Sequence, residues 1–263
     1  MLYLHHYGLK EKPFQDTANP KFLWLGEKQL KILSTLKCGV QKNKGITLLT
    51  GDVGTGKTIL LNYLAKSVKD QVLVLRINNP DLDISDFLNS LSDSIKLGTS
   101  FEDKVSFLSR LILAGSNNKM ILIIIDEAHL LTDNLLDELS LLLKIKKSDA
   151  RMVNFILAGQ KTSFVTLKEE ILADMIQQSP VKCHLEPLTE DETNQYIRHY
   201  LRIAGATRTP FTMSALSEIA RFSGGIPRII NNICDQALLI GYVKNEKILN
   251  SAVVKECTEG SHY

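Results

Sequence analysis

The sequence has no long apolar run and no recognisable signal peptide. Its longest uninterrupted apolar stretch, Met120–Ile125, has six residues, whereas a membrane-spanning helix needs about 20. The first eight residues lack the charged and then apolar layout of a secretory signal. These absences predict a cytoplasmic protein without direct membrane insertion.

Cysteine pairs and a strong net charge are also absent. The four cysteines are scattered, with no CxxC pair and no nearby histidine at metal-binding spacing: Cys38, Cys183, Cys234 and Cys257. This arrangement favours reduced structural thiols over a disulfide framework. With 31 Lys and Arg against 29 Asp and Glu, the chain has no overall charge that favours nucleic acid or a membrane surface. Any basic surface must therefore be local.

Short β-branched runs alternate with helical patterns between Gly45 and about Leu185. The 263 residues are 44% hydrophobic and 23% charged, which excludes a disordered or fibrous chain. Such alternation predicts an α/β fold, a parallel sheet flanked by helices. The predicted strands are 46–50, 72–77, 120–125, 153–157 and 181–185, and the predicted helices are 58–68, 84–95, 105–114 and 135–145.

The pattern changes after Pro187, where no strand candidate remains. Thr189 and Glu192 have capping-box spacing and open a helix through Ala204, and Pro227 suits the first turn of a later helix. Further helices are expected over 211–222, 227–242 and 249–257. We therefore predict two domains: residues 1–186, a phosphate-binding α/β core with an N-terminal segment, and residues 187–263, a small all-helical domain.

A phosphate-binding loop lies between the first predicted strand and helix. It matches the pattern G-x-x-x-x-G-K-[ST], and its residues are Gly51, Asp52, Val53, Gly54, Thr55, Gly56, Lys57 and Thr58, with Ile59 next. Glycines let the backbone curl closely around phosphate, and the following helix contributes its positive N-terminal end. Lys57 is expected to reach the β- and γ-phosphates of ATP, and the Thr58 hydroxyl to bind Mg²⁺.

Two acidic residues follow the most apolar strand. Asp126 at its end is well placed to hold Mg²⁺ or a ligand water, and Glu127 can polarise the water that attacks the γ-phosphate. Alone, such a pair is often only a solvated strand end, but the phosphate loop upstream favours the functional interpretation. His129 completes an Asp-Glu-Ala-His string found in helicases. The chain is too short for a second recombinase-like sheet domain, so we expect His129 to be a surface or capping residue.

At the level of ordered motifs, the chain resembles AAA+ ATPases of the general secretion pathway A (ExeA) type. The matching segments are Tyr7–Leu9 with Lys12–Phe14, Asn19–Leu25, Leu49–Thr58, Asp126–Glu127, Ile156–Gln160, Leu185–Thr189 and Gly224–Asn231 with Cys234–Leu238. The resemblance implies an AAA+ core, a helical lid, and Mg·ATP bound between them in a homo-oligomer. It also implies that Gln160 is the sensor-1 residue and Arg228 the sensor-2 arginine. A loop cap for Gln160 and a solvated helix start for Arg228 are the alternatives.

The resemblance leaves three functions open. Full secretion-type members carry a membrane helix and a peptidoglycan-binding region after the ATPase, and neither is expected within these 263 residues. The sequence is therefore expected to be an isolated ATPase module, an excised part of a longer protein, or a related protein used elsewhere. The first possibility is a secretion or envelope-assembly ATPase that acts on an unidentified protein partner. The second is a DNA-dependent ATPase similar to transposon target-selection proteins, with a basic cluster as the DNA contact: Lys144, Lys146, Lys147 and Arg151. Such a run is more commonly the solvated end of a helix, where its positive charges face the C-terminal dipole. The third is a nucleotide-switched scaffold with little hydrolysis.

An arginine is missing where related enzymes supply one to a neighbouring subunit. Residues 171–180 contain no arginine or lysine, and Gln178 stands near the expected position. A trans arginine contributes about 10³–10⁵ in rate. We therefore expect slow hydrolysis by the isolated protein, unless Arg198 or Arg202 reaches across instead.

Overall fold

The computed structural model describes residues 2–15, 19–77, 80, 85–87, 89, 120–144, 146–147, 150–160 and 181–259. The chain divides into two compact units. We call them the sheet unit, Glu27–Asp52 with Leu60–Leu185, and the helical unit, Met1–Gly26 with Val53–Ile59 and Glu186–Tyr263.

A parallel sheet organises the described part of the sheet unit. Its strands are β1 Ile46–Gly51, β2 Val72–Ile77, β3 Met120–Ile125, β6 Val153–Gly159 and β7 Val181–Leu185. They lie in the order β2-β3-β6-β1-β7, and every neighbouring pair is parallel. β3 and β6 are buried almost throughout, as is typical of central strands in a parallel sheet covered on both faces. The α/β fold class is confirmed.

Helices accompany this sheet, and one of them has no counterpart among the sequence predictions. The helix α2 covers Glu27–Gln41 and packs against β7, burying Leu33, Leu36 and Val40. The helix α3 covers Lys57–Val68, and α4 covers Asp133–Leu143 with Thr132 as its N-cap. The helices predicted over 84–95 and 105–114 lie almost entirely outside the described residues.

The basic cluster begins at the end of a helix, as its charge pattern suggested, and continues into a short hairpin. The helix α4 ends at Leu143 with Lys144 as its C-cap. The strands β4, Lys146–Lys147, and β5, Ala150–Arg151, then pair antiparallel. The helix thus ends two residues before the predicted boundary at 145, and the sequence reasoning did not predict the hairpin.

The C-terminal region is helical, as predicted. Its helices are α5 Glu190–Ile203, α6 Met213–Ser223, α7 Pro227–Val243 and α8 Ser251–Glu259. The capping box forms: Thr189 Oγ1 accepts from the Glu192 N–H at 3.3 Å, and Glu192 Oε2 accepts from the Thr189 N–H at 2.9 Å. An isolated parallel β-bridge pairs Phe211, in the loop before α6, with Leu249, in the loop before α8.

The first 26 residues pack with these helices, although the sequence-based division grouped them with the α/β core. They include a short helix α1, Leu2–His6, and a 3₁₀ turn at Pro20–Phe22. Tyr3 Oη donates to Asp235 Oδ1 at 2.6 Å, and Lys12 Nζ lies 2.7 Å from Asp235 Oδ2. The Phe14 ring stacks on Tyr200. These apolar rings are buried in the core of the helical unit, which explains the difference.

Candidate functional site

Three strands of the sheet unit end at the positions that the motifs single out. β1 ends at Gly51, where the phosphate loop begins, β3 ends directly before Asp126, and β6 ends directly before Gln160. Because β6 lies between β3 and β1 in a parallel sheet, all three positions share its carboxyl edge. This edge is where open α/β sheets generally bind their ligands.

The phosphate loop has the backbone conformation that its glycines were expected to provide. Gly54 and Gly56 have φ values of 81° and 99°, a region that glycine enters readily and other residues rarely. Lys57 begins α3 and is only 5% exposed, whereas Thr58 is exposed. Glycine-rich backbone leading into a helix N-terminus, with a lysine at the first turn, fits the phosphates of a nucleotide.

Within the helical unit, the phosphate loop touches the start of α7. The Arg228 N–H donates to the Gly54 carbonyl at 3.2 Å. A Cβ atom on Gly54 would lie 2.8 Å from Arg228 Cβ and 3.0 Å from Ile226 Cγ2. Any larger residue at position 54 would therefore displace the first turn of α7.

A tight turn sets the position of that first turn. Gly225 has a φ of 75°, and its carbonyl accepts from the Leu188 N–H at 2.8 Å. A Cβ atom on Gly225 would lie 1.9 Å from the Leu188 carbonyl oxygen, so only glycine fits. Pro227 follows at the first helical position, as predicted, and Arg228 is exposed.

Asp126 and Glu127 occupy a strained turn after β3. Asp126 is 4% exposed; its N–H donates to the Ile77 carbonyl at 3.0 Å, and its Oδ1 accepts from the Glu127 N–H at 3.1 Å. Glu127 lies in the left-handed region, with φ 50° and ψ 41°. For a residue with a side chain this conformation costs about 1 kcal/mol. Strain of this kind persists only where the surroundings enforce it.

His129 lies beside Glu127, in the 3₁₀ turn Ala128–Leu130. Its Nδ1 is 3.3 Å from Glu127 Oε2, at ion-pairing distance although the two groups are not aligned as a hydrogen bond. The sequence predicted a surface or capping role and missed this contact. The Asp-Glu-Ala-His string was the only signal for it.

Arg76 is a second residue that the sequence analysis missed. It is the charged member of the otherwise apolar strand β2, and its Nε and Nη2 atoms are buried with no hydrogen-bond partner among the described residues. Burial lowers the pKa of Arg76, and the negative charge of Asp126 partly opposes that effect. A charge inside the run Val-Leu-Val-Leu-Arg-Ile was the available sequence signal.

The remaining predicted residues are distributed as follows. Gln178 and the rest of 161–180 lie outside the described residues. Arg198 and Arg202 are exposed on α5; Arg198 contacts Met213 Sδ, and Arg202 contacts His199 Nδ1. Within the described ranges no group of three or more His, Cys, Asp or Glu side chains could hold a metal ion. A Mg²⁺ ion held by one or two protein oxygens and by phosphates does not need such a group.

Comparison with known proteins shows a domain match and one similar relative. Residues 40–167 match the family model of the AAA domain. The chain contains an AAA domain. It is 33% identical over 258 residues to general secretion pathway protein A of Aeromonas hydrophila, covering 96% of this chain and 47% of that protein. The chain thus spans about half the length of this relative.

Solved AAA+ structures share the fold. Cdc6p from Pyrobaculum aerophilum superposes with a TM-score of 0.73 at 17% identity, covering 91% of this chain and 70% of the other. The Aeropyrum pernix ORC2 protein in its ADP form gives 0.73 at 16% identity, with coverages of 96% and 73%. The Thermotoga maritima RuvB Holliday junction branch migration motor gives 0.61 at 19% identity, with coverages of 89% and 69%. The AAA+ assignment made from the motifs is confirmed. In the part of the chain described here, no helix is long and apolar enough to cross a membrane.

Proposed function

We propose that this AAA+ protein binds and hydrolyses Mg·ATP and uses the cycle to change the conformation or assembly of a partner. The observation that carries the proposal is the glycine-rich loop between β1 and α3, with Asp126 at the same edge of the sheet as the start of the loop. The AAA domain match covers both features.

Each residue has a defined role in this proposal. The loop backbone over 51–56, with Val53 and Ile59 at its borders, surrounds the phosphates, and Lys57 adds a positive charge. Mg²⁺, held by Thr58 and Asp126, would neutralise charge on the β- and γ-phosphates. Glu127 accepts a proton from the attacking water, while Gln160 and Arg228 sense the γ-phosphate.

The proposed biological role is that of a secretion or envelope-assembly ATPase. The 33% identity to general secretion pathway protein A supports it. We also propose a cytoplasmic location and a homo-oligomer with ATP at subunit interfaces, because AAA+ enzymes complete their sites across neighbouring subunits. The protein partner would be the species that responds to the ATP cycle.

Two substitutions separate binding from turnover. Lys57→Ala should abolish detectable ATP binding, measured by isothermal titration calorimetry. Lys66→Ala, an exposed lysine in the last turn of the same helix, is the matched control and should bind normally. Glu127→Gln should bind ATP but stop turnover. ATP affinity of Lys57→Ala within a few-fold of the wild type would show that the loop assignment is wrong.

A DNA-dependent ATPase is the second candidate. The fold is shared with Drosophila ORC bound to DNA (TM-score 0.67) and with the Aeropyrum pernix ORC1 protein in complex with DNA (TM-score 0.67). The hairpin β4–β5 also concentrates lysine and arginine. Duplex binding at two salt concentrations tests this candidate, because each phosphate contact makes affinity fall with salt. Absent or salt-insensitive binding excludes it and leaves the protein partner or the scaffold role.

A further inference from the structure

A largely buried histidine contacts the carboxylate that the proposed function assigns to water activation. His129 Nδ1 lies 3.3 Å from Glu127 Oε2. The His129 side chain is 23% exposed, and the Glu127 side chain is 42% exposed. The described residues donate no hydrogen bond to Glu127 Oε1. Among the described residues, one carboxylate oxygen therefore faces the histidine and the other accepts no hydrogen bond.

The backbone on both sides of this contact is anchored. Ala128 and Leu131 are buried in the hydrophobic core of the sheet unit. The Leu130 N–H donates to the Glu127 carbonyl at 2.9 Å, and the Leu131 N–H donates to the Ala128 carbonyl at 3.3 Å. The left-handed conformation of Glu127 adds a further restraint. The backbone that carries the His129 ring beside Glu127 is therefore restrained.

An exposed glutamate without such support samples several rotamers, which scatters its carboxylate over distances larger than a proton transfer allows. A general base must approach the proton to about 2.6–3.2 Å between heavy atoms, and a displacement of about 1 Å can cost 10²-fold in rate. Contacts of this kind are often long in ligand-free enzymes and tighten when substrate binds.

We propose that His129 is a positioning residue for Glu127. Its Nδ1–H holds Oε2, and Oε1 accepts the proton of the water whose oxygen attacks the γ-phosphorus as the β–γ bridging P–O bond breaks. The inference rests on the proposed ATPase function. It assigns to His129 no contact with ATP, so its loss changes turnover and leaves nucleotide affinity unchanged.

The first test uses two amides that differ in reach. The amide nitrogen of Asn lies three bonds from Cα, as Nδ1 of His does. The amide nitrogen of Gln lies four bonds from Cα, as Nε2 of His does. His129→Ala and His129→Gln should lower kcat about ten-fold with KM for ATP unchanged, and His129→Asn should restore most of the lost rate. Leu130→Ala, an exposed neighbour in the same 3₁₀ turn, is the matched control and should keep the wild-type kcat.

The second test does not depend on turnover. The ¹⁵N resonances of the His129 ring are assigned by their loss in His129→Gln. In the nucleotide-free protein, these resonances should shift when Glu127→Gln is introduced. They should not shift on Asp137→Asn, which removes an exposed carboxylate from α4. A wild type that does not hydrolyse ATP, but whose ring responds to Glu127→Gln, would contradict the proposed function and support the contact.

Three results overturn the inference. They are a wild-type kcat in His129→Ala, an equal loss of kcat in the Asn and Ala variants, and a ring signal unaffected by Glu127→Gln.

Discussion

The backbone N–H of Arg228 donates a hydrogen bond to the carbonyl of Gly54 at 3.2 Å. The contact attaches the first turn of α7 to the phosphate loop through main-chain atoms. It therefore survives any substitution of the Arg228 side chain other than proline. The role of the Arg228 side chain can therefore be tested without detaching the helix from the loop.

Arg228→Ala should reduce discrimination between ATP and ADP. A charge-assisted hydrogen bond to the γ-phosphate is worth about 1.5–3 kcal/mol, so the ratio of the two affinities should fall by about ten-fold or more. Competition binding of a fluorescent nucleotide measures both affinities. Arg208→Ala, another exposed arginine of the helical unit, is the control, and an unchanged ratio in Arg228→Ala would leave Arg228 without this role.

Glu127→Gly should be more stable than Glu127→Ala although both are inactive. Both variants lose the carboxylate and its contact with His129, but only glycine relieves the left-handed strain at φ 50°. The difference should be about 1 kcal/mol, equivalent to roughly 2–4 °C in Tm for a chain of this size. Thermal unfolding without nucleotide measures it. Equal Tm values would show that the turn does not enforce this conformation.

Gly225→Ala should destabilise the protein much more than Gly224→Ala. Both glycines have positive φ, but a Cβ on Gly224 meets nothing within 4 Å, whereas one on Gly225 meets the Leu188 carbonyl at 1.9 Å. We expect about 1 kcal/mol for Gly224→Ala from backbone strain alone. Gly225→Ala should cost about 3 kcal/mol or more, because displacement of packed backbone adds to that strain. Chemical denaturation of the two variants decides this, and similar losses would contradict the tight turn.

Acidification should destabilise the helical unit through His199. Burial, aided by the positive charge of Arg202, lowers the pKa of His199 below its ordinary 6.5. The unfolded chain therefore binds the proton first, and stability falls as pH drops through 6.5 towards the lower folded pKa. His199→Gln should show a flatter dependence of Tm on pH between about 7.5 and 5 than the wild type. The exposed His5 provides the control His5→Gln, whose pH profile should match the wild type.

Turnover by the isolated wild type should be slow, and Gln178→Arg should raise it. This prediction rests on the sequence, because Gln178 lies outside the described residues. A trans arginine is worth about 10³–10⁵ in rate, and glutamine brings no charge to the transition state. ATPase rates measured against protein concentration check the prediction. Brisk, concentration-dependent hydrolysis by the wild type would refute it and direct attention to Arg198 and Arg202 on α5.

Patterns that act over a few residues were readable from the sequence alone. The β-branched runs gave the sheet strands, Thr189 with Glu192 marked the start of α5, and Pro227 marked the start of α7. The glycine pattern identified the phosphate loop and, with the ordered motifs, the AAA+ class. Such features depend on backbone propensity, capping and glycine conformation, which neighbouring residues determine.

Other features depended on which segments pack together. The tertiary structure decided that residues 1–26 bury their aromatic rings with the C-terminal helices, and that Arg228 meets Gly54. It also decided that His129 faces Glu127, since that contact requires a left-handed residue followed by an anchored 3₁₀ turn. These relationships join surfaces distant along the chain or depend on a strained backbone. The long-range contacts and the strained backbone are both stabilised by burial of the hydrophobic core. Which segments form that core cannot be read from a pattern of neighbouring residues.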